Sequence, residues 1–301
     1  RFRGDLPSMK DHVLAALDSI DKLYKNRGGI TGLATGFSEL DKMTSGLHPG
    51  EMFVIAARPS MGKTAFAMNI AEHVAVHLGR PVGIFSLEMS SQQLVQRLLC
   101  SLARIDLSRI RDGFLDKREI NILAEAGNKL AKSLIYIDDT PGLSILELRA
   151  KARRMREKHR IELLVIDYLQ LLRSTSKRAQ ENRQIEVAEI SYGVKALSKE
   201  LSIPIIVLAQ LNRQPDEKGG RPMLSHLRES GSIEQDADVV AMLFRAEVYE
   251  KDEEARAEKA GEAELIIAKQ RNGPVGDVPL TFLKQFTRFE DRARVREDSE
   301  K

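Results

Sequence analysis

The sequence predicts an α/β protein: a mostly parallel central sheet flanked by helices, with antiparallel hairpins near the C-terminus. Three observations predict it. Wholly apolar runs at Phe53 to Ala57, Val82 to Phe85, Leu134 to Ile137, Leu163 to Ile166 and Ile205 to Ala209 alternate with amphipathic segments, the βαβα order of a parallel sheet buried on both faces. The first of these runs passes straight into a glycine-bearing loop and then a helix. Beyond Val239 to Phe244 the pattern changes to Glu264 to Ala268, an Asn272, Gly273, Pro274 turn, Asp277 to Phe282 and Phe286 to Phe289, which reads as hairpins.

Taken in order, Met9, Val13, Leu17, Ile20 and Tyr24 recur at helical spacing until Gly28 and Gly29 stop the pattern. The helix they predict has no sequence-local partner for its apolar stripe, so it docks on the chain's own core or on a neighbouring subunit. A helix is predicted from Lys63 to His77. Ser90 with Gln93, Asp116 with Glu119, and Ser144 with Glu147 each place a capping residue three before an acid or amide, marking three further helix starts. Glu247 to Glu262, dense in both charge signs, reads as a solvated helix or loop.

Composition narrows the class. The 301 residues are 42% hydrophobic, enough to bury the core of one large or two small domains, which argues against wholesale disorder. A single cysteine, Cys100, excludes an intramolecular disulfide and a Cys-based zinc site. With no signal-peptide-like start and no apolar run near 18 residues, a soluble cytoplasmic protein without membrane contact is expected. Lys and Arg number 47 against 44 Asp and Glu, a net +3, too balanced to decide nucleic-acid binding without knowing where the cations cluster.

The sharpest local signal is Ala57, Arg58, Pro59, Ser60, Met61, Gly62, Lys63, Thr64 between a strand and a helix. It is a P-loop with Ala57 in place of the usual first glycine. Gly62 lets the backbone approach phosphates, and Lys63 neutralises β/γ oxygens. Thr64 can ligate magnesium, and the helix N-terminus adds positive potential. A second magnesium-side carboxylate is needed at another strand end, and Asp167 follows Leu163 to Ile166 there. Glu88, just past Phe85 and Ser86, is either the water-positioning base or a capping acid for the next helix. Gln210, closing the run from Ile205, either senses a γ-phosphate or is a structural amide.

From about Met9 to Phe289 the chain resembles the DnaB-type replicative DNA helicases, whose motor is a RecA-like P-loop ATPase. The resemblance rests on Gly29 to Gly32, the P-loop and five ordered blocks: Phe85 to Met89, Ile166 to Gln170, Leu208 to Arg213, Arg228 to Asp238 and Lys269 to Gly273. It implies a homohexameric ring that encircles single-stranded DNA, moves 5′ to 3′ at the fork, and hydrolyses ATP with magnesium at subunit interfaces. Residues 1–30 are then a linker region, 31–290 the ATPase domain and 291–301 a charged tail. The family's N-terminal collar, which carries primase contacts, has no counterpart here, so a domain fragment is expected. A helicase loader is an implied partner.

The resemblance also assigns residues. Arg271, with Lys269, becomes a finger reaching into the neighbour's site, although by their pattern alone these two read as an exposed basic turn. Arg228, Glu229 and Gly231 match the loop that holds strand phosphates in the channel. Lys177 and Arg178, in the loop after Asp167, are a second DNA contact or simply a solvated loop. With 5% aromatic residues and no tryptophan, backbone contacts rather than base stacking are the expected grip. A RecA-like recombinase filament and an ATP-driven clamp or loader-like module share the P-loop, but neither accounts for the Arg228 to Asp238 and Lys269 to Gly273 blocks together.

Overall fold

The computed structural model describes residues 8–25, 29–176, 179, 182–211, 220–250 and 252–293. In chain order these form α1 (Met9–Lys25), α2 (Ser38–Thr44), β1 (Met52–Ala57), α3 (Lys63–Glu72), β2 (Val82–Ser86), α4 (Ser91–Ala103), α5 (Leu107–Arg111), α6 (Lys117–Ala131), β3 (Ile135–Asp138), α7 (Ile145–His159), β4 (Leu163–Asp167), α8 (Arg183–Leu201), β5 (Ile205–Gln210), α9 (Gly231–Asp236), β6 (Val239–Phe244), α10 (Glu253–Glu258), β7 (Glu262–Gln270), β8 (Gly276–Leu283) and β9 (Arg288–Asp291). The three predicted capping boxes form at Ser90, Asp116 and Ser144, each side chain accepting from the third helical N–H while the residue there reaches back.

The described strands make one sheet in the order β3-β2-β4-β5-β1-β6-β7-β8-β9. From β3 to β6 the pairings are parallel, and from β6 to β9 antiparallel. Alternation along β1 sends Phe53, Ile55 and Ala57 to one face, against Phe37, Leu40, Phe66 and Ile70, and Met52, Val54 and Ala56 to the other, against Leu148, Val187, Ile190 and Val194. Both faces are therefore dry, which explains why the parallel strands read as continuous apolar runs. The final hairpin closes over the helix that follows the P-loop: Phe66 meets Phe289 edge to face at 5.6 Å, and Asn69 Oδ1 accepts the Phe289 N–H at 2.8 Å.

Three elements depart from expectation. β3 is half-buried rather than a core strand, because it is the sheet's outer edge. The helix from Lys63 is α-helical only to Glu72 and continues to His77 as a π-helical turn. The last strand begins at Arg288, since a 3₁₀ turn over Lys284–Phe286 and a left-handed Thr287 reverse the chain first. As for α1, its stripe does not lie on the chain's own core: Met9, Val13, Leu14, Leu17, Ile20 and Tyr24 are between 48 and 76% exposed.

Below β1, Lys195 Nζ donates to Asp238 Oδ2 at 2.5 Å and to the Gly50 carbonyl at 2.8 Å, while Met52 N–H donates to the same Asp238 oxygen. Both side chains are nearly buried. Lys195→Met removes the cation and leaves a buried carboxylate poorly matched, at a cost of about 3 kcal/mol measured by urea denaturation. Adding Asp238→Asn recovers part of that loss in a double-mutant cycle.

Candidate nucleotide site

Register decides which side chains meet. Ala57, at the end of β1, pairs with Gln210 of β5, and Ser86 of β2 pairs with Asp167 of β4. The P-loop, Glu88, Asp167 and Gln210 therefore share the carboxyl edge of the parallel strands, where open α/β sheets bind ligands. Gly62 opens α3 with φ +95, a left-handed backbone, and an added Cβ would stand 3.0 Å from Phe289.

A cavity of about 520 Å³ lies over this edge, walled by Arg58, Pro59, Ser60, Gly62, Lys63 and Thr64 on the loop side and by Glu88 and Gln210 opposite. Met61 is different: its side chain is buried in the hydrophobic core, so it anchors the loop from below. Lys63 Nζ lies 3.1 Å from Glu88 Oε2 and 3.8 Å from Asp167 Oδ1, and 4.3 Å from the centroid of the Tyr168 ring. Thr64 donates its hydroxyl to Asp167 Oδ2 at 2.7 Å. Glu88 thus faces the P-loop lysine from a half-exposed position rather than merely capping α4.

Asp167 is 1% exposed. Burial pushes its carboxyl above the usual range, and Lys63 and the Thr64 hydroxyl only partly offset this. Its Oδ1 has no hydrogen-bond partner among the described residues. A buried carboxylate oxygen without a partner, next to a hydroxyl, is the donor set a hard cation such as magnesium takes, with water and phosphate completing the shell. Gln210 is pinned by its backbone, its carbonyl accepting from Gln170 Nε2 and its N–H donating to Gln170 Oε1, so its own amide lines the cavity.

Arg97, Phe282 and Thr287 also line the cavity and were not foreseen. Arg97 is close enough for its charge to act on Asp167. The signal for it was a cation on a capped helix between the core positions Leu94 and Leu98. Phe282 and Thr287 arrive from the last hairpin, far away in sequence.

Lys269 and Arg271 sit at the other end of the sheet. Gln270 pairs with Val239, which pairs with Phe53 near the start of β1, roughly 13 Å along the strands from Ala57. Lys269 Nζ donates to the carbonyls of Glu234 at 2.5 Å and Ala237 at 2.9 Å, and burial, aided by Arg271, holds its pKa below the ordinary lysine value. Arg271 is half-exposed, with one Nη on the Gln235 carbonyl at 2.7 Å and Nε 3.6 Å from Asp238. Arg228 and Glu229 belong to a 3₁₀ turn, Leu224–Ser230, that runs into α9 at Gly231. Lys177 and Arg178 lie outside the described residues.

A mostly parallel sheet carrying a P-loop, a strand-end aspartate and antiparallel C-terminal strands defines a RecA-like P-loop ATPase domain. Residues 32–291 match the family model of the DnaB-like helicase C terminal domain. The chain belongs to that family. It is 48% identical over 290 residues to the replicative DNA helicase DnaB of Geobacillus stearothermophilus, covering 96% of this chain and 63% of that protein. To the replicative DNA helicase DnaC of Bacillus subtilis it is 46% identical over 293 residues, with 97% and 63% covered. Among solved structures it is similar to one described as an ATPase domain, with TM-score 0.86 and 36% identity over 96% of this chain and all of that one. A DnaB-like replicative helicase described with its interactions with primase follows at TM-score 0.83 and 35% identity, covering 96% and 68%. The chain spans 63% of the length of these two curated relatives.

Because the fold raises the pKa of Asp167, the fold favours the protonated acid. That contribution to stability is complete below the unfolded value near 3.8 and is lost as pH rises through the folded value. Asp167→Asn therefore raises the melting temperature of the ligand-free chain at pH 7.5, by roughly 2 to 4 °C for each kcal/mol gained. The gain shrinks as pH is lowered towards 4, which scanning fluorimetry across pH reads directly.

Proposed function

We propose that this chain is the motor domain of a replicative DNA helicase, hydrolysing ATP between the subunits of a homohexamer to move 5′ to 3′ along single-stranded DNA. One observation carries the reading: the cation pair Lys269 and Arg271 lies at the sheet end opposite the chain's own P-loop, out of its reach, which supports a role in another copy's site. Within one subunit Lys63 and the loop N–H groups bind the phosphates, and Glu88 orients and deprotonates water. Gln210 and Arg97 face the γ-phosphate. Thr64 and Asp167 hold magnesium, which offsets the negative charge on the phosphate oxygens when bound. A neighbour's Arg271 adds a further cation to the γ-phosphate in the transition state.

The exposed stripe of α1 fits the same assembly. A groove of about 270 Å³ between α4, α6 and β3, lined by Val95, Leu98, Leu99, Leu130, Ile135 and Ile137, offers an apolar seat for a neighbour's α1. In this division 1–30 is the linker, 31–290 the ATPase domain and 291–301 a charged tail. The Arg228 to Gly231 segment grips strand phosphates. It leads directly into α9, whose last carbonyls receive Lys269 and Arg271, so a DNA contact and the trans cations share one short helix. A helicase loader and fork DNA are the partners that follow.

The deciding experiment is ATP-driven unwinding of forked DNA with either a 5′ or a 3′ tail, Lys63→Ala serving as control. Unwinding from the 5′ tail alone, lost in the variant, is expected; separation from a 3′ tail only would overturn the polarity. Nucleotide-dependent retention of DNA without strand separation would instead favour a clamp.

Arg271→Ala keeps nucleotide binding and loses about 10³- to 10⁵-fold in turnover, the range found for arginine fingers. Mixed rings of Arg271→Ala and Glu88→Gln regain part of the activity at interfaces that pair intact residues from two subunits. Normal hydrolysis by Arg271→Ala rings would sink the trans assignment.

A further inference from the structure

Arg245, just past the end of β6, is 6% exposed and is not among the cavity walls. Its guanidinium nevertheless holds two of them. One Nη donates to the Ser60 carbonyl at 3.3 Å, at the crown of the P-loop, where Ser60 has φ 66. The plane of the group lies 4.0 Å from the centroid of Phe282, on the hairpin wall. Its other Nη pairs with Glu247, whose second oxygen accepts the Gly261 N–H at 3.1 Å. Burial pushes Glu247 up, but its bonds from Arg245 and Gly261 outweigh this and keep the carboxyl below the usual range. The remaining donor, Nε, is buried without a hydrogen-bond partner among the described residues.

A buried cation whose bonds are incompletely satisfied is costly, and hydrophobic side chains of similar volume often stabilise a fold better. Stability alone is therefore a poor reason for an arginine here. What the guanidinium does is geometric: it is a planar fork, able to meet a carbonyl and a carboxylate in plane while an aromatic ring takes its face. A lysine ammonium can satisfy one of these contacts but lacks the plane to span all three. The left-handed Ser60 backbone costs energy in the loop, and the donated bond is one of the contacts holding that conformation.

We propose that Arg245 is a positioning residue for nucleotide binding, fixing the Ser60 peptide of the P-loop and the Phe282 wall at the spacing that admits a nucleoside triphosphate. This rests on the ATP-site reading above. Arg245 touches no reacting atom. The loop cradle it fixes serves the ground state and the transition state alike, so its loss raises KM and leaves kcat nearly unchanged.

The test compares Arg245→Lys, Arg245→Met and Glu247→Gln with the unaltered chain, using a fluorescent ATP analogue with magnesium for binding, steady-state hydrolysis, and melting temperature. Arg245→Lys is expected to weaken analogue binding and raise KM about 10-fold, with kcat within about 2-fold. Glu247→Gln, which leaves Arg245 in place but loosens its anchor, moves the same quantities in the same direction by less. A purely structural role would lower the melting temperature and the active fraction, leaving KM and the analogue Kd where they were, and that outcome overturns the proposal. Should Arg245→Met fail to fold, Arg245→Lys and Glu247→Gln still decide. An unaltered chain that binds no analogue overturns the ATP-site reading together with this one. Equal binding by the unaltered chain and Arg245→Lys overturns this one alone.

Discussion

Lys63 stands between two carboxylates, Glu88 at 3.1 Å and Asp167 at 3.8 Å, inside a site where one of those acids is almost wholly buried. Much of the structure follows from keeping that arrangement in place. A buried carboxylate with an unsatisfied oxygen is expensive in a ligand-free protein, and a lysine and a hydroxyl reduce the cost without removing it. The net result is a buried acid whose free oxygen is matched only in part by the chain's own groups, beside a cavity walled by Arg58, Lys63 and Arg97.

Holding such a site needs a rigid floor, and the parallel sheet provides it. Six neighbouring strands from β3 to β6 run the same way, so their carboxyl ends bring loops distant in sequence to one edge. Both faces are sealed by apolar clusters, which keeps water from the ladder and allows little sliding between strands. Beyond β6 the direction reverses, with two consequences. The hairpin returns Phe289 and Phe282 to the P-loop edge, where both lie beside Gly62 and Phe282 walls the cavity. The same reversal takes Lys269 and Arg271 to the far edge, out of reach of their own chain's nucleotide.

How far the sequence was legible depended on whether a signal was local. Phe53 to Ala57, the P-loop and the three capping boxes are contiguous strings whose meaning does not depend on what packs against them. Asp167 and Gln210 were legible because a polar residue closing an apolar run is itself a local pattern. Arg97, Phe282, Thr287 and Arg245 were not, since each acquires its meaning from a neighbour far along the chain. Arg245 follows an apolar strand just as Asp167 does, yet only the fold brings Ser60 and Phe282 to it. Lys269 and Arg271 show the opposite difficulty. Their pattern is that of an exposed turn, and half the exposure is real, but the carbonyls of α9 and the distance from the P-loop give them a meaning that spacing could not.

Two features of the single chain, the α1 stripe and the far-edge cations, fit the proposed assembly together. The α1 stripe exposes six large apolar side chains on a helix of 17 residues, and the stability of such an amphipathic helix comes mostly from packing that face. The P-loop cavity takes its cations, Arg58, Lys63 and Arg97, from its own chain, while Lys269 and Arg271 lie away from it at the opposite edge. In the proposed ring, head-to-tail contacts would serve both at every interface, because such contacts place unlike surfaces of identical subunits together. A two-fold dimer would set like edge against like and leave at least one of the two needs unmet. The proposed hexamer is thus the arrangement in which the far-edge cations and the uncovered helix are met by the same neighbours.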